Sequence, residues 1–180
     1  MSGRIRLNDR NKESAAKDCF VLDASFFIEV PEALDFLSDA ECYTTPSIFE
    51  ELRSLRAKAM FEAIKPEVID PKDDYIKKVR NAIKTTSDKL SPQDIEVLAL
   101  ALMLKDKGKN VVLLTEDYGI MNVASLLSLE SRSFVNKGIS NFYVWRKKCV
   151  VCGKLVKKSA NECPYCGSHT FCYIPKKRRL

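Results

Sequence analysis

The sequence predicts an α/β protein in which a doubly wound parallel sheet carries helices on both faces and a small cysteine-rich module follows. Three observations lead to this class. Two short apolar runs indicate buried parallel strands, the segments between them repeat apolar residues at helical spacing, and two Cys-x-x-Cys pairs lie near the C-terminus. With 180 residues, 46% of them hydrophobic and 30% charged, the chain is long enough for one core and an appendage.

Residues 1–17, "MSGRIRLNDRNKESAAK", form an N-terminal extension that we expect to be flexible. Its positive charges are followed by no apolar run, so the sequence predicts neither a signal peptide nor a transmembrane segment. The expectation is a cytoplasmic protein that does not bind membranes.

The two apolar runs, Cys19–Leu22 and Val111–Leu114, do not alternate with polar residues, as is typical of strands buried on both faces. Helical spacing is present in three segments between them, at Ile48, Leu52, Leu55 and Ala59, at Ile76, Val79 and Ile83, and at Ile95, Leu98, Ala99 and Leu102. Strands that alternate with helices predict right-handed crossovers and a parallel sheet.

The sequence also marks two helix starts and one helix stop. "TPSIFEEL" and "SPQDIEVL" each begin with a hydroxyl residue followed by proline, which is typical of an N-cap with proline at the first helical position. The glycine of "KDKGKN" predicts that the last of the three helical segments ends near residue 108.

After "SRSFVNKGISN" the composition changes from apolar and periodic to basic and cysteine-paired, which predicts a domain boundary near residues 138–141. We expect a sheet domain over 18–139, a cysteine-rich module over 140–174 and a basic tail over 175–180. Residues 140–180 contain ten Lys or Arg and one Glu. This local positive charge favours nucleic acid over an anionic membrane as the partner, because no amphipathic helix or lipidation motif accompanies it. A merely solvated tail is the alternative.

The two cysteine pairs, each followed by Gly, predict a zinc ribbon that holds one structural ion through Cys149, Cys152, Cys163 and Cys166. A module of about forty residues buries too little apolar surface to fold without the metal. A redox dithiol pair or an iron–sulfur site is the alternative, and His169 is expected to be a loop residue rather than a ligand. The other cysteines, Cys19, Cys42 and Cys172, are expected to be small buried apolar residues.

Acidic residues of the sheet domain are predicted to converge at one edge of the sheet. Asp23 and Asp117 each come shortly after a predicted strand, and the carboxyl ends of parallel strands meet at one edge. Asp94 is the third residue after Ser91 and either joins this group or closes a capping box with Ser91.

A further acid is selected by helical geometry, which turns Glu51 toward the border of the core and Glu50 toward water. A Glu51 side chain that merely reaches solvent from the flank of the helix is the alternative. Three or four converging carboxylates without His, Ser or Cys partners indicate one or two Mg²⁺ or Mn²⁺ ions. A water bound to such an ion can attack a phosphodiester in line while the ion stabilises the leaving oxygen. The predicted reaction is therefore metal-dependent phosphodiester hydrolysis.

Four motifs, "VLDASFFIE", "TPSIFEEL", "LSPQDIEVLALAL" and "LLTEDYGIMNVA", resemble in order the acidic motifs of PIN-domain ribonucleases, over residues 18–139. With the basic zinc ribbon after them, the chain is similar to archaeal members of the Nin-one-binding family, endonucleases that mature the 3′ end of small-subunit ribosomal RNA. The resemblance implies a PIN fold, magnesium or manganese, and cleavage of single-stranded RNA that leaves a 3′-hydroxyl. It also implies precursor ribosomal RNA, the pre-small ribosomal subunit and its assembly factors as partners, and no antitoxin.

The resemblance assigns the catalytic and metal-binding acids to Asp23, Glu51, Asp94 and Asp117. It makes Thr115 the hydroxyl neighbour of the last acid, and it places Asn122 in the family's "QNVA"-like stretch, here "MNVA". Two alternatives stay open. One is a toxin-type PIN ribonuclease that acts on transfer or messenger RNA, and the other is a non-catalytic RNA- or ribosome-binding assembly factor.

Because an acidic site repels RNA, a separate positive surface is needed to hold the RNA backbone. The candidate phosphate contacts are Arg146, Lys147, Lys148, Lys154, Lys157, Lys158, Lys176, Lys177, Arg178 and Arg179. Tyr165, Phe171 and Tyr173 either stack on unpaired bases or fill the core of the ribbon, and the core is favoured for Phe171 and Tyr173. Trp145 either packs across the interdomain linker or stacks on a base.

Overall fold

The computed structural model of the protein describes residues 19–29, 37, 40–134 and 142–178. The N-terminal extension, the predicted boundary at residues 138–141 and the candidate RNA contact Arg179 lie outside the described residues. The helices are α1 (Ala24–Glu29), α2 (Pro46–Glu51), α3 (Leu55–Ile64), α4 (Asp73–Thr86), α5 (Pro92–Asp106) and α6 (Tyr118–Leu126). The strands are β1 (Cys19–Leu22), β2 (Glu41–Thr44), β3 (Glu67–Val68), β4 (Val111–Leu114), β5 (Glu130–Arg132), β6 (Phe142–Cys149) and β7 (Phe171–Arg178).

The first five strands form one parallel sheet in the order β3-β2-β1-β4-β5, as the fold class predicts. The strand order reverses between β1 and β4, whose register pairs Leu22 with Leu114 at the last positions of both strands. The carboxyl ends of these two strands are therefore adjacent. In a doubly wound sheet this crevice is where ligands bind.

Both predicted strands have the predicted bounds, and every residue of β1 and β4 is buried. Helix α5 starts at the Ser91 N-cap with Pro92 at its first position and ends before Gly108, also as predicted. Its middle, residues 97–104, is buried without interruption. A helix that is apolar on all sides is one that is covered on all sides, and α5 packs against α2, α4, α6 and the two central strands.

The prediction that the apolar residues from Ile48 to Ala59 lie on one face of a single helix is wrong. Helix α2 ends at Glu51, and a new helix starts at Leu55 after the Ser54 N-cap, whose Oγ accepts from the amide of Ala57 at 3.1 Å. Serine favours a cap over a helix interior because its hydroxyl can bond to nearby backbone amides. The break leaves Leu55 87% exposed instead of in the core.

Strands β6 and β7 form a separate antiparallel hairpin-like sheet whose register runs from Phe142 opposite Arg178 to Cys149 opposite Phe171. The ribbon, as we name residues 142–178, packs through β6 against α4 and α6 of the parallel-sheet domain. In the described part of the chain, no helix has both the length and the apolar character needed to cross a bilayer.

Candidate active site and cysteine cluster

Asp23 follows the last residue of β1 and lies at the carboxyl end of the sheet, buried to 5% exposure. Its Oδ2 accepts hydrogen bonds from Thr115 Oγ1 at 2.7 Å and from Ser25 Oγ at 2.8 Å. Two hydroxyl donors on one oxygen fix the orientation of the carboxylate. Sequence reasoning found Thr115 but missed Ser25, although a small hydroxyl residue two positions after an acid at a strand end is a recognisable signal for such a contact.

Asp117 is the N-cap of α6 and accepts from the amides of Gly119 at 2.6 Å and Ile120 at 3.2 Å. Its own amide donates to Thr115 Oγ1 at 3.0 Å, so one buried hydroxyl connects Asp117 to Asp23. A Cβ at Gly119 would lie 3.0 Å from Asp117 Oδ1, which explains why the position carries glycine. The cap and the hydroxyl bridge together hold this acid at the predicted edge of the sheet.

Asp94 closes a capping box at the start of α5, as one of the two interpretations predicted. Asp94 Oδ2 accepts from the Ser91 amide at 2.7 Å, and Ser91 Oγ accepts from the Asp94 amide at 3.1 Å. Burial, followed by the charges of Asp23 and Asp117, raises the pKa of Asp94 despite these hydrogen bonds from Ser91. The same carboxylate therefore caps a helix and belongs electrostatically to the acidic group.

Glu51, at the end of α2, is exposed like its neighbour Glu50, so the predicted placement of Glu51 at the border of the core is wrong. The reason is the helix break, which removes the apolar stripe that was used to orient it. Partial burial and the charges of Asp94 and Asp23 nevertheless raise the pKa of Glu51. Glu51 therefore lies within electrostatic range of the other acids, on the exposed side of the group.

A cleft of about 440 Å³ opens beside this group, lined by Ile28, Ser47, Glu50, Glu51, Arg53 and Gln93, together with Ala24. Burial and the charges of Asp94 and Asp23 raise the pKa of Glu51, and the positive charge of Arg53 offsets part of that increase. Ile28 is 53% exposed and provides an apolar surface in the same cleft. The cleft thus combines acids, one guanidinium and an apolar surface, a mixture suited to a nucleotide chain.

Two further acids near the site make structural contacts. Glu116 accepts from Ser133 Oγ at 2.7 Å and from the Phe134 amide at 2.6 Å, which ties it to the segment after β5. Glu96 accepts from Ser47 Oγ at 2.5 Å and joins α5 to α2. Sequence reasoning did not identify either contact, because both partners come from distant parts of the chain.

The predicted acids Asp23, Glu51, Asp94 and Asp117 form what we call the acid group. It draws on four different elements, and the charges of its members act on one another. The group has oxygen donors only, which suits a hard divalent cation. Among the described residues, ligand atoms of three or more Cys, His, Asp or Glu come within 4.8 Å of each other only at the cysteines. The acids are thus spaced more widely, and a cation of this kind ordinarily keeps several waters.

The four paired cysteines, Cys149, Cys152, Cys163 and Cys166, have their sulfurs within 4.8 Å of one another and form the cysteine cluster. Gly153 and Gly167 have φ of 71° and 69°, a conformation that favours glycine. Their amides donate to the carbonyls of Cys149 and Cys163, at 3.0 and 2.9 Å, and so close each turn. Hydrogen bonds from the backbone at Cys152 and Val151 outweigh burial and lower the pKa of Cys149 to about 6. Thiolates in this arrangement fit a tetrahedral zinc ion.

His169 is exposed, with its Nδ1 2.9 Å from the Asn161 carbonyl oxygen, and its ring lies outside the cysteine cluster. Among the leftover cysteines, Cys19 is buried as predicted, whereas Cys42 and Cys172 are half-buried. None of the seven cysteines forms a disulfide. Burial raises the pKa of Cys19 and of Cys42 to about 11, so these two remain unreactive thiols.

The candidate RNA-contacting residues differ in their exposure and in their contacts within the ribbon. Lys154, Lys157, Lys158 and Lys176 are exposed, Arg146, Lys147 and Lys148 are half-buried, and Lys177 and Arg178 belong to β7. Lys147 donates to the Ala160 carbonyl at 2.6 Å and lies over the Phe171 ring, so it supports the ribbon itself. The exposed lysines remain the stronger candidates for phosphate contacts.

The aromatic residues of the ribbon depart from expectation in one case. Tyr173 is 52% exposed, so its predicted place in the ribbon core is wrong, while Phe171 is half-buried. Tyr165 is 58% exposed and has the Lys154 ammonium 4.3 Å from its ring centre. Trp145 packs between the domains, as one of its two interpretations predicted, and its Nε1 donates to Asp88 at 2.7 Å.

The chain is similar to known ribonucleases. Residues 20–104 match the family model described as the PIN domain of ribonuclease, a range that contains the first three members of the acid group. Endoribonuclease Nob1 of Methanocaldococcus jannaschii is 39% identical over 164 residues, which cover 89% of this chain and 77% of that protein. Endoribonuclease Nob1 of Methanothermobacter thermautotrophicus is 36% identical, with 82% and 88% covered. Ribonuclease VapC1 of Thermoplasma acidophilum is 28% identical, with 89% and 81% covered.

Proposed function

Since the chain belongs to the Nob1 endoribonuclease family, we propose that it hydrolyses phosphodiester bonds of RNA at the acid group with the help of a divalent metal ion. The substrate that we propose is the precursor of small-subunit ribosomal RNA, cut at its mature 3′ end within the pre-small ribosomal subunit. The observation that supports the chemistry is the acid group, in which burial and the charges of neighbouring acids raise the pKa of Glu51 and of Asp94.

Mutual repulsion within the acid group favours a cation. Burial, followed by the charges of Asp23 and Asp117, raises the pKa of Asp94, so a positive ion placed among these oxygens would offset the repulsion between the carboxylates. The same four residues would hold the Mg²⁺ or Mn²⁺. When bound, such an ion supplies a more acidic water and stabilises charge on the phosphate.

The protein itself contributes to the reaction by orienting the carboxylates of the acid group. Thr115 and Ser25 hold Asp23 through Oδ2, and the α6 amides hold Asp117, so neither carboxylate must reorganise when RNA arrives. Preorganised charges of this kind lower the barrier more than mobile ones do. The cleft beside Glu51 would receive the RNA strand, with Arg53 facing its phosphates.

The cysteine cluster is proposed to hold one structural Zn²⁺. Four thiolates complete a tetrahedral shell and leave no open position for substrate. The ribbon would supply the positive surface that the acid group lacks, and its exposed lysines would hold the RNA backbone. We also propose the division into a nuclease domain over 18–139, a zinc-binding domain over 140–174 and a basic tail over 175–180, of which residues 175–178 continue strand β7. A cytoplasmic location is proposed as well.

The test is incubation with an RNA that spans the small-subunit 3′ end and its downstream spacer, in Mg²⁺ or Mn²⁺. The wild type should cut at one position, and Asp23→Asn should cut at least about a thousandfold more slowly. RNA affinity should stay equal or rise, because one negative charge is removed. Asp106→Asn, which changes an exposed acid paired with Lys78, is the matched control and should cut normally.

Other outcomes would favour the alternatives. Cutting that survives in Asp23→Asn would contradict the assignment of the acid group, and tight binding without cutting would favour a non-catalytic binding factor. Preferred cutting of transfer or messenger RNA would favour a toxin-type ribonuclease. The toxin-type alternative has less support, because the two Nob1 relatives are 39% and 36% identical to the chain and ribonuclease VapC1 only 28%.

A further inference from the structure

Asp88, in the loop between α4 and α5, accepts one hydrogen bond from each domain. Its Oδ1 accepts from the Trp145 indole Nε1 of the ribbon at 2.7 Å. Its Oδ2 accepts from Asn122 Nδ2 of α6, also at 2.7 Å. Indole N–H and amide NH₂ groups are donors only, and the Asp88 carboxylate offers a separate acceptor oxygen to each of them.

Burial makes this contact costly to break. Asn122 is 4% exposed, and both Asp88 and Trp145 are half-buried. Removing the carboxylate would leave two partly desolvated donors to find other partners, which is more costly than losing an exposed ion pair. A second bond supports the same loop, because Lys158 of the ribbon donates to Ser87 Oγ.

The loop that receives the ribbon also leads into the acid group. It continues directly to Ser91 and Asp94, which close the capping box of α5. Leu90 packs against Gly119, in the first turn of the helix that Asp117 caps. The ribbon therefore docks on α4, on α6 and on the loop between α4 and α5. This loop leads to Asp94, and α6 is the helix that Asp117 caps.

We propose that Asp88 is a positioning residue that fixes the ribbon on the nuclease domain. It thereby determines which part of a ribbon-bound RNA reaches the acid group. The part that concerns RNA rests on the proposed function. Asp88 touches neither the acid group nor the candidate phosphate contacts on the ribbon. Its effect on cleavage is exerted through Trp145 and Asn122.

The docking part can be measured without RNA, because Trp145 is the only tryptophan of the chain. In the zinc-loaded full-length protein, the indole ¹⁵N–¹H resonance should be protected from solvent exchange. In Asp88→Ala it should move toward the position of a solvated indole and exchange at least about tenfold faster. Asp74→Ala, which removes an exposed carboxylate paired with Lys77 on α4, is the matched control and should leave the resonance in place.

The RNA part is measured by comparing two substrates. One is a long RNA that can contact both domains, and the other is a single-stranded oligonucleotide too short to span them. Asp88→Ala and Trp145→Phe should each raise KM for the long RNA about tenfold with little change in kcat. Trp145→Phe should cut the short RNA normally. The double variant should lose no more than either single variant, since both remove the same contact.

Each contrary result has a defined meaning. An indole resonance that is unchanged in Asp88→Ala would overturn the docking role. A loss in Asp88→Ala that is equal on short and long RNA, or that appears in kcat, would show that Asp88 acts on the acid group through Asn122 alone and would also overturn the proposal. If the wild type cut no RNA while the indole resonance responded as expected, the proposed function would fail and the docking contact would stand.

Discussion

The acid group and the cysteine cluster are built in opposite ways. The cysteines come from residues 149–166 and meet through two short turns. The acids come from positions 23, 51, 94 and 117, and Asp23 and Asp117 follow strands β1 and β4, which pair in the parallel sheet. The acids are held by a core that exists without metal. Among ribbon residues 145–176, for which burial is described, only Cys149 and Cys163 are buried, so this stretch has no comparable core. Metal is therefore expected to determine the fold of the ribbon and only the chemistry of the acid group.

The largest expected effect tests whether the ribbon depends on metal for its fold while the nuclease domain does not. Cys149→Ser should abolish zinc binding and unfold the ribbon, because metal binding contributes roughly 10–16 kcal/mol to small zinc modules. The nuclease domain should melt cooperatively at nearly the same temperature, and RNA affinity should fall. The measurement is zinc content by elemental analysis, together with amide resonances assigned to each domain.

The matched control is Cys172→Ser, a half-buried cysteine of the same ribbon outside the cluster. It should keep one zinc per chain. If Cys149→Ser also kept one zinc, the assignment of four cysteine ligands would be wrong. If the nuclease domain unfolded along with the ribbon, the two regions would not be independent.

The next largest effect tests whether a buried hydroxyl of the fold orients the carboxylates of the acid group. Thr115→Val removes a fully buried hydroxyl that donates to Asp23 and accepts from the Asp117 amide, with little change in volume. We expect kcat to fall roughly 10- to 100-fold and the free energy of unfolding to fall by about 1–3 kcal/mol. Cleavage assays and chemical denaturation would measure the two effects.

Thr44→Val provides the comparison, because Thr44 is also fully buried and donates to the Leu22 carbonyl at 2.9 Å without touching an acid. Its stability should fall by a similar amount while kcat stays close to the wild-type value. Equal losses of kcat in both variants would mean that the hydroxyl of Thr115 stabilises the domain without orienting Asp23.

A smaller effect concerns the ribbon's exposed charge. Lys154→Ala should weaken RNA binding a few-fold and make log K less dependent on log salt concentration, by about 0.7 for one lost contact to a single strand. Lys77→Ala removes an exposed lysine of α4 and should change neither quantity. Titrations at several salt concentrations would measure both variants. A salt slope that is unchanged in Lys154→Ala would remove this residue from the phosphate contacts.

The features that the sequence predicted best are those that depend on residues close together in the chain. The strands Cys19–Leu22 and Val111–Leu114, the capping box at Ser91 and the convergence of the cysteines all follow from short local patterns. Strands β3 and β5 were missed because they have only two and three residues, and β2, "ECYT", was missed because it mixes polar with apolar residues and so forms no apolar run. Helix α1 was missed for the same reason, since its six residues span less than two turns.

Contacts between residues that are far apart in the chain could not be predicted from the sequence. Ser47 bonding to Glu96, or Asp88 bonding to Trp145, depends on the tertiary arrangement and has no local signal. The misplacement of Glu51 has a different origin. Helical periodicity was extended through Ser54, where a cap starts a new helix. Of the acid group, Asp23 and Asp117 were proposed from their position after strand ends, which is a rule about topology rather than about residues close together in the chain.

The smallest expected effect tests the repulsion within the acid group directly. Partial burial and neighbouring negative charges raise the pKa of Glu51 in the folded state. Between the ordinary and the raised pKa, the folded protein binds more protons than the unfolded chain, so the free energy of unfolding falls as pH rises through that window. At neutral pH without metal, Glu51→Gln should therefore be slightly more stable, by a fraction of a kcal/mol or about 1 °C in Tm, because the side chain is exposed and screened.

This gain should disappear below the ordinary glutamate pKa, where the wild-type side chain is protonated in both states. With saturating Mn²⁺ the order should reverse, since the wild type has one more ligand for the ion. Glu50→Gln lies in the same cleft and is the matched control, with no reversal expected. Calorimetry of both variants across pH, with and without Mn²⁺, measures these differences. A Glu51→Gln variant that is stabilised equally with and without Mn²⁺ would place Glu51 outside the metal site, and the acid group would then rest on the three aspartates whose positions the core and the helix caps determine.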